Sequence, residues 1–232
     1  MTALLAPVAV ALDGPDLATI TSWARAAGPY VSTVKVGLET FLRDGADAVH
    51  AAREASGGRA VFLDLKLHDI PNTVAGAARS VAHLSPTYLT VHASGGSAMI
   101  RAAVEALPGT RITAVTVLTS MSEDDLSAVG LLGPSIDAVL RLAALSVAAG
   151  ARALVCSPQE VAAVRAEVGE DIVLITPGVR PAGAALGDQT RVATPEQALA
   201  DGADLLVIGR PITGAADVAA AAAAVAGALT HN

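Results

Sequence analysis

Apolar and β-branched residues gather along the chain into eight short runs: 7–12 (PVAVAL), 32–36 (STVKV), 60–66 (AVFLDLK), 87–92 (TYLTVH), 112–118 (ITAVTVL), 152–156 (RALVC), 172–176 (IVLIT) and 204–208 (DLLVI). Runs of this length and composition predict strands. Between them lie longer segments with a helical repeat of apolar positions, such as DLATITSWARAAG, LRDGADAVHAAREAS, NTVAGAARSVAHL, SAMIRAAVEAL and IDAVLRLAALSVAAG. Gly28, Gly57 and Gly150 sit where those helices should stop. Strand and helix in strict alternation predict parallel βα units. Eight of them predict a closed (β/α)8 barrel of the TIM type rather than an open sheet. No Pro/Gly/Ser-rich linker or charge block interrupts the pattern, so residues 1–232 are expected to form one domain. Two connections are longer than the rest, 119–135 after the fifth strand and 177–190 after the seventh. Long loops in a compact barrel are frequently lids or binding loops.

In such barrels the reactive face is the one at the C-terminal ends of the strands. The polar residues of this chain converge there. Asp13 ends the first run, Lys35 the second, Asp64 and Lys66 the third, His92 the fourth and Thr119 the fifth. Arg180 follows the seventh run, and Arg210 follows the eighth after VIG.

Composition narrows the function. Hydrophobic residues make up 53% and charged residues 16%, which supplies a large core and excludes a disordered chain. A net charge of −7 and 2% aromatics argue against a nucleic-acid or anionic-membrane partner. The single cysteine, Cys156, rules out an internal disulfide, and no Cys/His cluster suggests zinc. The apolar start ALLAPVAVAL has no basic leader and runs into Asp13, so it reads as a first strand rather than a signal peptide. The Ala-rich ADVAAAAAAVAGAL is too short and weakly apolar for a membrane span. A cytoplasmic location is the expectation.

The cations carry a sharper signal. Thirteen of the fifteen are arginines, and the only lysines are Lys35 and Lys66. Arginine holds its charge permanently, whereas lysine can give up a proton when its surroundings allow. Two lysines at strand ends in an Arg-biased chain suggest positions that need an amine.

Residues 64–73, DLKLHDIPNT, place Asp64, Lys66 and Asp69 directly after a buried run. Strand alternation would turn Asp64 and Lys66 to the same side. With Lys35 from the next strand and Asp69 from the loop, they would form a Lys35–Asp64–Lys66–Asp69 chain in which each charge favours ionisation of its neighbour. Spacing alone leaves open whether this is reactive machinery or a structural ion-pair plug. At the last strand, Gly209 and Arg210 occupy a strand-to-helix turn suited to an anion, and barrels commonly hold phosphate after strands seven and eight. Arg180 and Gln189 lie on the long loop that could fold over it.

At these residues the chain resembles the orotidine 5′-phosphate decarboxylase family. FLDLKLHDIPNTV matches that family's Asp-x-Lys-x-x-Asp-Ile-x-x-Thr motif. ALD at 11–13, KVG at 35–37, VTVLTSM at 115–121, TPGVR at 176–180, DQ at 188–189 and IGR at 208–210 follow in the family's order. The resemblance implies a homodimer with shared active sites. It would convert orotidine 5′-phosphate to uridine 5′-phosphate and CO2, the last step of de novo UMP synthesis, without metal or organic cofactor. It further implies that Lys66 protonates C6 of the pyrimidine within the Lys35–Asp64–Lys66–Asp69 network. Asp69 and Thr73 would reach into the partner's site. Asp13 and Lys35 would contact the ribose, Thr119 would lie near the pyrimidine, and Arg180, Gln189, Gly209 and Arg210 would hold the phosphate.

Two rival readings remain. Related barrels resembling 3-keto-L-gulonate 6-phosphate decarboxylase or hexulose-phosphate synthase share the Asp-x-Lys-x-x-Asp pattern but use Mg²⁺ and sugar phosphates; the IPNT continuation argues against them. A barrel that merely binds a phosphorylated ligand would keep Arg210 without needing both lysines. Cys156 reads as a core residue, His50, His83 and His231 as helix-surface or terminal residues, and His68 as a packing or loop residue. His92, at the mouth, stays between packing and a supporting role.

Overall fold

The computed structural model describes residues 5–131, 133–180 and 193–230. Eight strands close into a barrel in chain order: β1 (Ala6–Ala11), β2 (Val31–Gly37), β3 (Ala60–Leu67), β4 (Tyr88–His92), β5 (Arg111–Val115), β6 (Ala153–Val155), β7 (Val173–Thr176) and β8 (Leu205–Ile208). Every neighbouring pair is parallel, and β8 returns to β1 through Val8↔Leu206, Ala9↔Val207 and Val10↔Ile208. The chain is therefore a (β/α)8 TIM barrel, as the alternation of runs predicts.

The two-residue repeat of the strands divides the core in two. Val8, Val10, Val61, Leu63, Leu154, Leu174 and Leu206 belong to a large cluster shared with the helices. Their neighbours of opposite parity, Ala9, Phe62, Ala153, Ile175 and Leu205, form a second cluster inside the barrel, flanked by Tyr88, Val155, Val173 and Val207. This is the layered filling expected of a barrel too narrow to be a pore. The lower end is closed by Phe62 and Tyr88, packed edge to face at 5.8 Å, with the Arg111 guanidinium 5.7 Å from the Tyr88 ring centre. Following the same parity upward leads to Lys35 and Asp64 at the upper end.

One difference from the sequence pattern lies at the fifth strand. The apolar run extends to residue 118, but β5 stops at Val115. Thr116 still donates its backbone N–H to Val155 O at 3.2 Å and its hydroxyl to the same oxygen at 2.9 Å. A side chain thus shares the carbonyl that a longer strand would have used, and the chain turns away towards Thr119. The long connection beyond contains the helix Glu123–Ala128, started by a capping box between Ser122 and Asp125. Among the described residues no helix is long and apolar enough to cross a membrane.

Backbones approach closely where the helix Leu17–Ala27 ends. Gly28 caps it, and a Cβ there would lie 2.5 Å from Ser56 O and 2.8 Å from Ser56 Cα at the end of the helix Ala46–Ala55. The obstacle is backbone, which cannot rotate aside. Gly28→Ala is expected to cost about 1–3 kcal/mol, the usual range for overpacking. Thermal unfolding checks this: a Tm equal to that of the parent protein would contradict the close approach.

Candidate active site

The upper end of β3 is irregular. Leu63 pairs with Leu89 and Leu67 with Val91, so three β3 residues, Asp64, Leu65 and Lys66, oppose the single β4 residue Thr90. Lys66 has a left-handed backbone (φ 49°), which L-residues adopt at a cost of about 1–2 kcal/mol. Its N–H leaves the strand ladder and donates instead to Thr90 Oγ1 at 2.8 Å. The side chain then returns over Asp64, with Nζ 2.8 Å from Oδ1. Simple alternation is therefore not what brings Asp64 and Lys66 together; a bulge does.

The other carboxylate oxygen of Asp64 lies 3.4 Å from Lys35 Nζ, which in turn donates to Asp13 Oδ2 at 3.1 Å. Acid and amine thus alternate in the order Asp13, Lys35, Asp64, Lys66. The expected order ended on Asp69, and within one chain it does not. Asp69 is exposed, and its Oδ1 accepts from the N–H of Ile70 at 2.6 Å, turning the carboxylate onto its own loop. Thr73 is also exposed, in the first turn of the helix Pro71–Ser80.

Electrostatics keeps the inner groups ionised. Burial works against the charge on Lys35, which is only 6% exposed, yet Asp64 and Asp13 outweigh it and raise its pKa above the ordinary 10.5. Burial likewise pushes the Asp64 carboxyl up, but the Lys35 and Lys66 ammoniums, with hydrogen bonds from Lys66 and Thr90, bring it below the ordinary 3.8. His92 is lowered by burial, by His68 and by Lys66, so its imidazole is held neutral; its ring lies 5.5 Å from that of His68. Gly37 makes room for the chain, since a Cβ there would collide with an Asp13 carboxylate oxygen and sit 2.8 Å from Lys35 Nζ.

Two hollows meet at Asp64. One, of about 190 Å³, is mainly apolar: Lys66 and Thr119 border it together with Phe62, Val115, Val155 and Val207. The other, of about 530 Å³, runs from Asp13 and Lys35 to Arg180, Gly209 and Arg210. Pro177 and Val207 line both, so they form one cleft with a mainly apolar end and a polar end. Arg180 is steadied from below by backbone pairing of its N–H with Ala193 O at 3.0 Å. Gln189 lies outside the described residues. Cys156 is buried and its thiol pushed up to about 12 by that burial, in keeping with a core position. Thr90, fully buried, is the site residue that sequence reading missed; on a β-rich run a threonine is indistinguishable from a strand former.

A protein-family model described as the orotidine 5′-phosphate decarboxylase / HUMPS family matches residues 6–225. The chain belongs to this family. A relative from Thermobifida fusca named orotidine 5′-phosphate decarboxylase is 70% identical over 226 residues, covering 97% of each chain. One of the same name from Frankia casuarinae is 57% identical, covering 97% of this chain and 88% of its own. The crystal structure of orotidine 5′-phosphate decarboxylase from Lactobacillus acidophilus superposes with a TM-score of 0.83 at 38% identity, over 97% of this chain and 99% of that one. Relatives of this family thus share the barrel over nearly its whole length.

Two outcomes follow for this family member. Asp64, with its lowered carboxyl pKa, contributes stability that is present above pH 3.8 and is lost as pH falls through the folded-state value. In denaturant titrations the advantage of the parent protein over Asp64→Asn should therefore hold at neutral pH and vanish in acid. An advantage that stays unchanged from neutral pH down to acid in which every carboxyl is protonated would contradict an ionised Asp64. Gly37→Ala should leave the fold intact but lower activity on the order of 10²-fold by displacing Asp13 and Lys35; activity within twofold of the parent, on the order of assay scatter, would show that the carboxylate can move without consequence.

Proposed function

We propose that this protein decarboxylates orotidine 5′-phosphate to uridine 5′-phosphate and CO2, with no metal or organic cofactor. The observation that carries the proposal is the Lys66 ammonium, 2.8 Å from Asp64 at the mainly apolar end of a cleft whose other end presents Arg180 and Arg210. A pyrimidine fits the first environment and a phosphate the second.

The chemistry follows from that arrangement. The bond from C6 to the carboxylate breaks, CO2 leaves, and the electron pair stays on C6. An ammonium beside C6 stabilises the developing charge where little water competes. The Lys66 N–H proton then passes to C6, leaving a neutral amine that solvent reprotonates. An arginine could supply the charge but would hold its proton, which accounts for a lysine here in an Arg-rich chain. Asp64 aims the amine, and Lys35 with Asp13 would bind the ribose. Thr119 would lie against the pyrimidine. Arg180, Gln189, Gly209 and Arg210 would grip the phosphate, whose binding energy can be spent on ordering the reacting end.

Asp69 and Thr73 have their place in a second copy. Residues 68–73 are exposed without a break, and Ile70 among them is 66% exposed. An apolar side chain in such a run suits an interface. We read the protein as a single-domain cytoplasmic homodimer in which Asp69 and Thr73 complete the partner's site. Its net charge of −7 disfavours a nucleic-acid or membrane partner.

The test is loss of orotidine 5′-phosphate ultraviolet absorbance with purified protein and EDTA present. Steady turnover is expected. Activity on sugar phosphates that EDTA abolishes would point instead to the Mg²⁺-dependent barrels. Lys66→Ala should still bind uridine 5′-phosphate but lose turnover by on the order of 10³-fold or more; ordinary activity in that variant would remove Lys66 as the proton donor.

A further inference from the structure

We propose that the Thr90 hydroxyl is the positioning group that fixes which oxygen of Asp64 serves Lys66, and so where the Lys66 ammonium stands. The proposal rests on the decarboxylase reading only for its kinetic readout.

Thr90 alone faces the three bulged residues of β3. It is fully buried, so water does not take its place. A hydroxyl carries one proton. Because Oγ1 accepts the Lys66 backbone N–H at 2.8 Å, the proton must point elsewhere, and Asp64 Oδ1 lies 3.0 Å away. That oxygen also receives the Lys66 ammonium at 2.8 Å. Oδ2 is thereby left to Lys35, at 3.4 Å. The polarity of the whole chain of contacts is set by this one proton.

A carboxylate does not hold such an arrangement unaided. Its terminal torsion is broad, with no sharp staggered wells. Lys35 lies on one side and Lys66 on the other, so the carboxylate of Asp64 has two competing cations to turn towards. The β-branched Thr90 is stiff at χ1 and, held inside the barrel, cannot follow such a turn. Its hydroxyl also occupies the N–H that the left-handed Lys66 backbone withdraws from the ladder. One side chain therefore restrains both the backbone and the counter-ion of the same lysine.

The experiment compares Thr90→Val, which keeps the shape and removes the hydroxyl, with Thr90→Ser, which restores it. With orotidine 5′-phosphate as substrate, Val should lower kcat by about 10- to 100-fold, the scale of an ångström misplacement, and leave KM within about threefold. Ser should recover most of that loss. A Val variant with the parent kcat, or a Ser variant as impaired as Val, would overturn the proposal. Hydrogen exchange of the Lys66 amide provides a readout independent of turnover. It should be slow in the parent protein and speed up about tenfold or more in Val, an RT ln 10 loss of about 1.4 kcal/mol in local protection, while the amides of Leu63 and Val91 stay unchanged. Exchange of the Lys66 amide in the parent as fast as that of exposed Asn72 would overturn the proposal even if Thr90→Val failed to fold. A parent protein inactive on orotidine 5′-phosphate but showing the protected amide would remove the functional reading and leave the positioning role standing.

Discussion

A buried carboxylate held between two ammonium groups is the constraint on which the rest of this molecule depends. Burial opposes the charge on Asp64, and Lys35 and Lys66 beside it more than offset that cost; burial likewise opposes the charge on Lys35, and Asp64 with Asp13 offsets it. Removing one member of such a set strands the others, which is why breaking a buried pair typically costs about 3–5 kcal/mol. The chain of contacts meets solvent at both its ends, Asp13 and Lys66, whose side chains are 39% and 29% exposed. Under the proposed function, stability and reactivity draw on the same few atoms, because the amine proposed as proton donor is the one paired with Asp64.

The fold serves this constraint. Alternation along the strands sends one set of apolar side chains to the helices and another to the barrel interior, and the interior set seals everything below Asp64. Small residues at the upper end, Ala11 and Gly37, leave room for charged groups. The apolar lining beside Lys66 lowers the local dielectric, where a fixed ammonium acts most strongly on developing negative charge. The polar end of the cleft is bordered by Arg180, Gly209 and Arg210.

Much of this was legible in the sequence because the relevant signals are local. Eight apolar runs separated by helical repeats are sufficient for a closed barrel, and polar residues at the run ends mark its working face. The use of lysine at only positions 35 and 66 singles out the two amines that meet Asp64. What stayed hidden depends on pairing between strands. No pattern in DLKLHD announces that Lys66 will take a left-handed backbone, or that three residues will face one across β4. Thr90 reads as an ordinary strand residue until its hydroxyl is seen between Asp64 and Lys66. Asp69 does not meet Lys66 within one chain: its carboxylate is exposed on the loop, where one oxygen accepts the N–H of Ile70. The role of Gln189 falls on residues outside those described.

The most direct test of the central claim is a crystal structure with uridine 5′-phosphate bound. The account predicts that Lys66 Nζ, still paired with Asp64, stands within about 3.5 Å of the pyrimidine C6, the separation from which a proton can pass. A pyrimidine seated elsewhere in the cleft, or an Nζ turned away from C6 towards solvent, would contradict it.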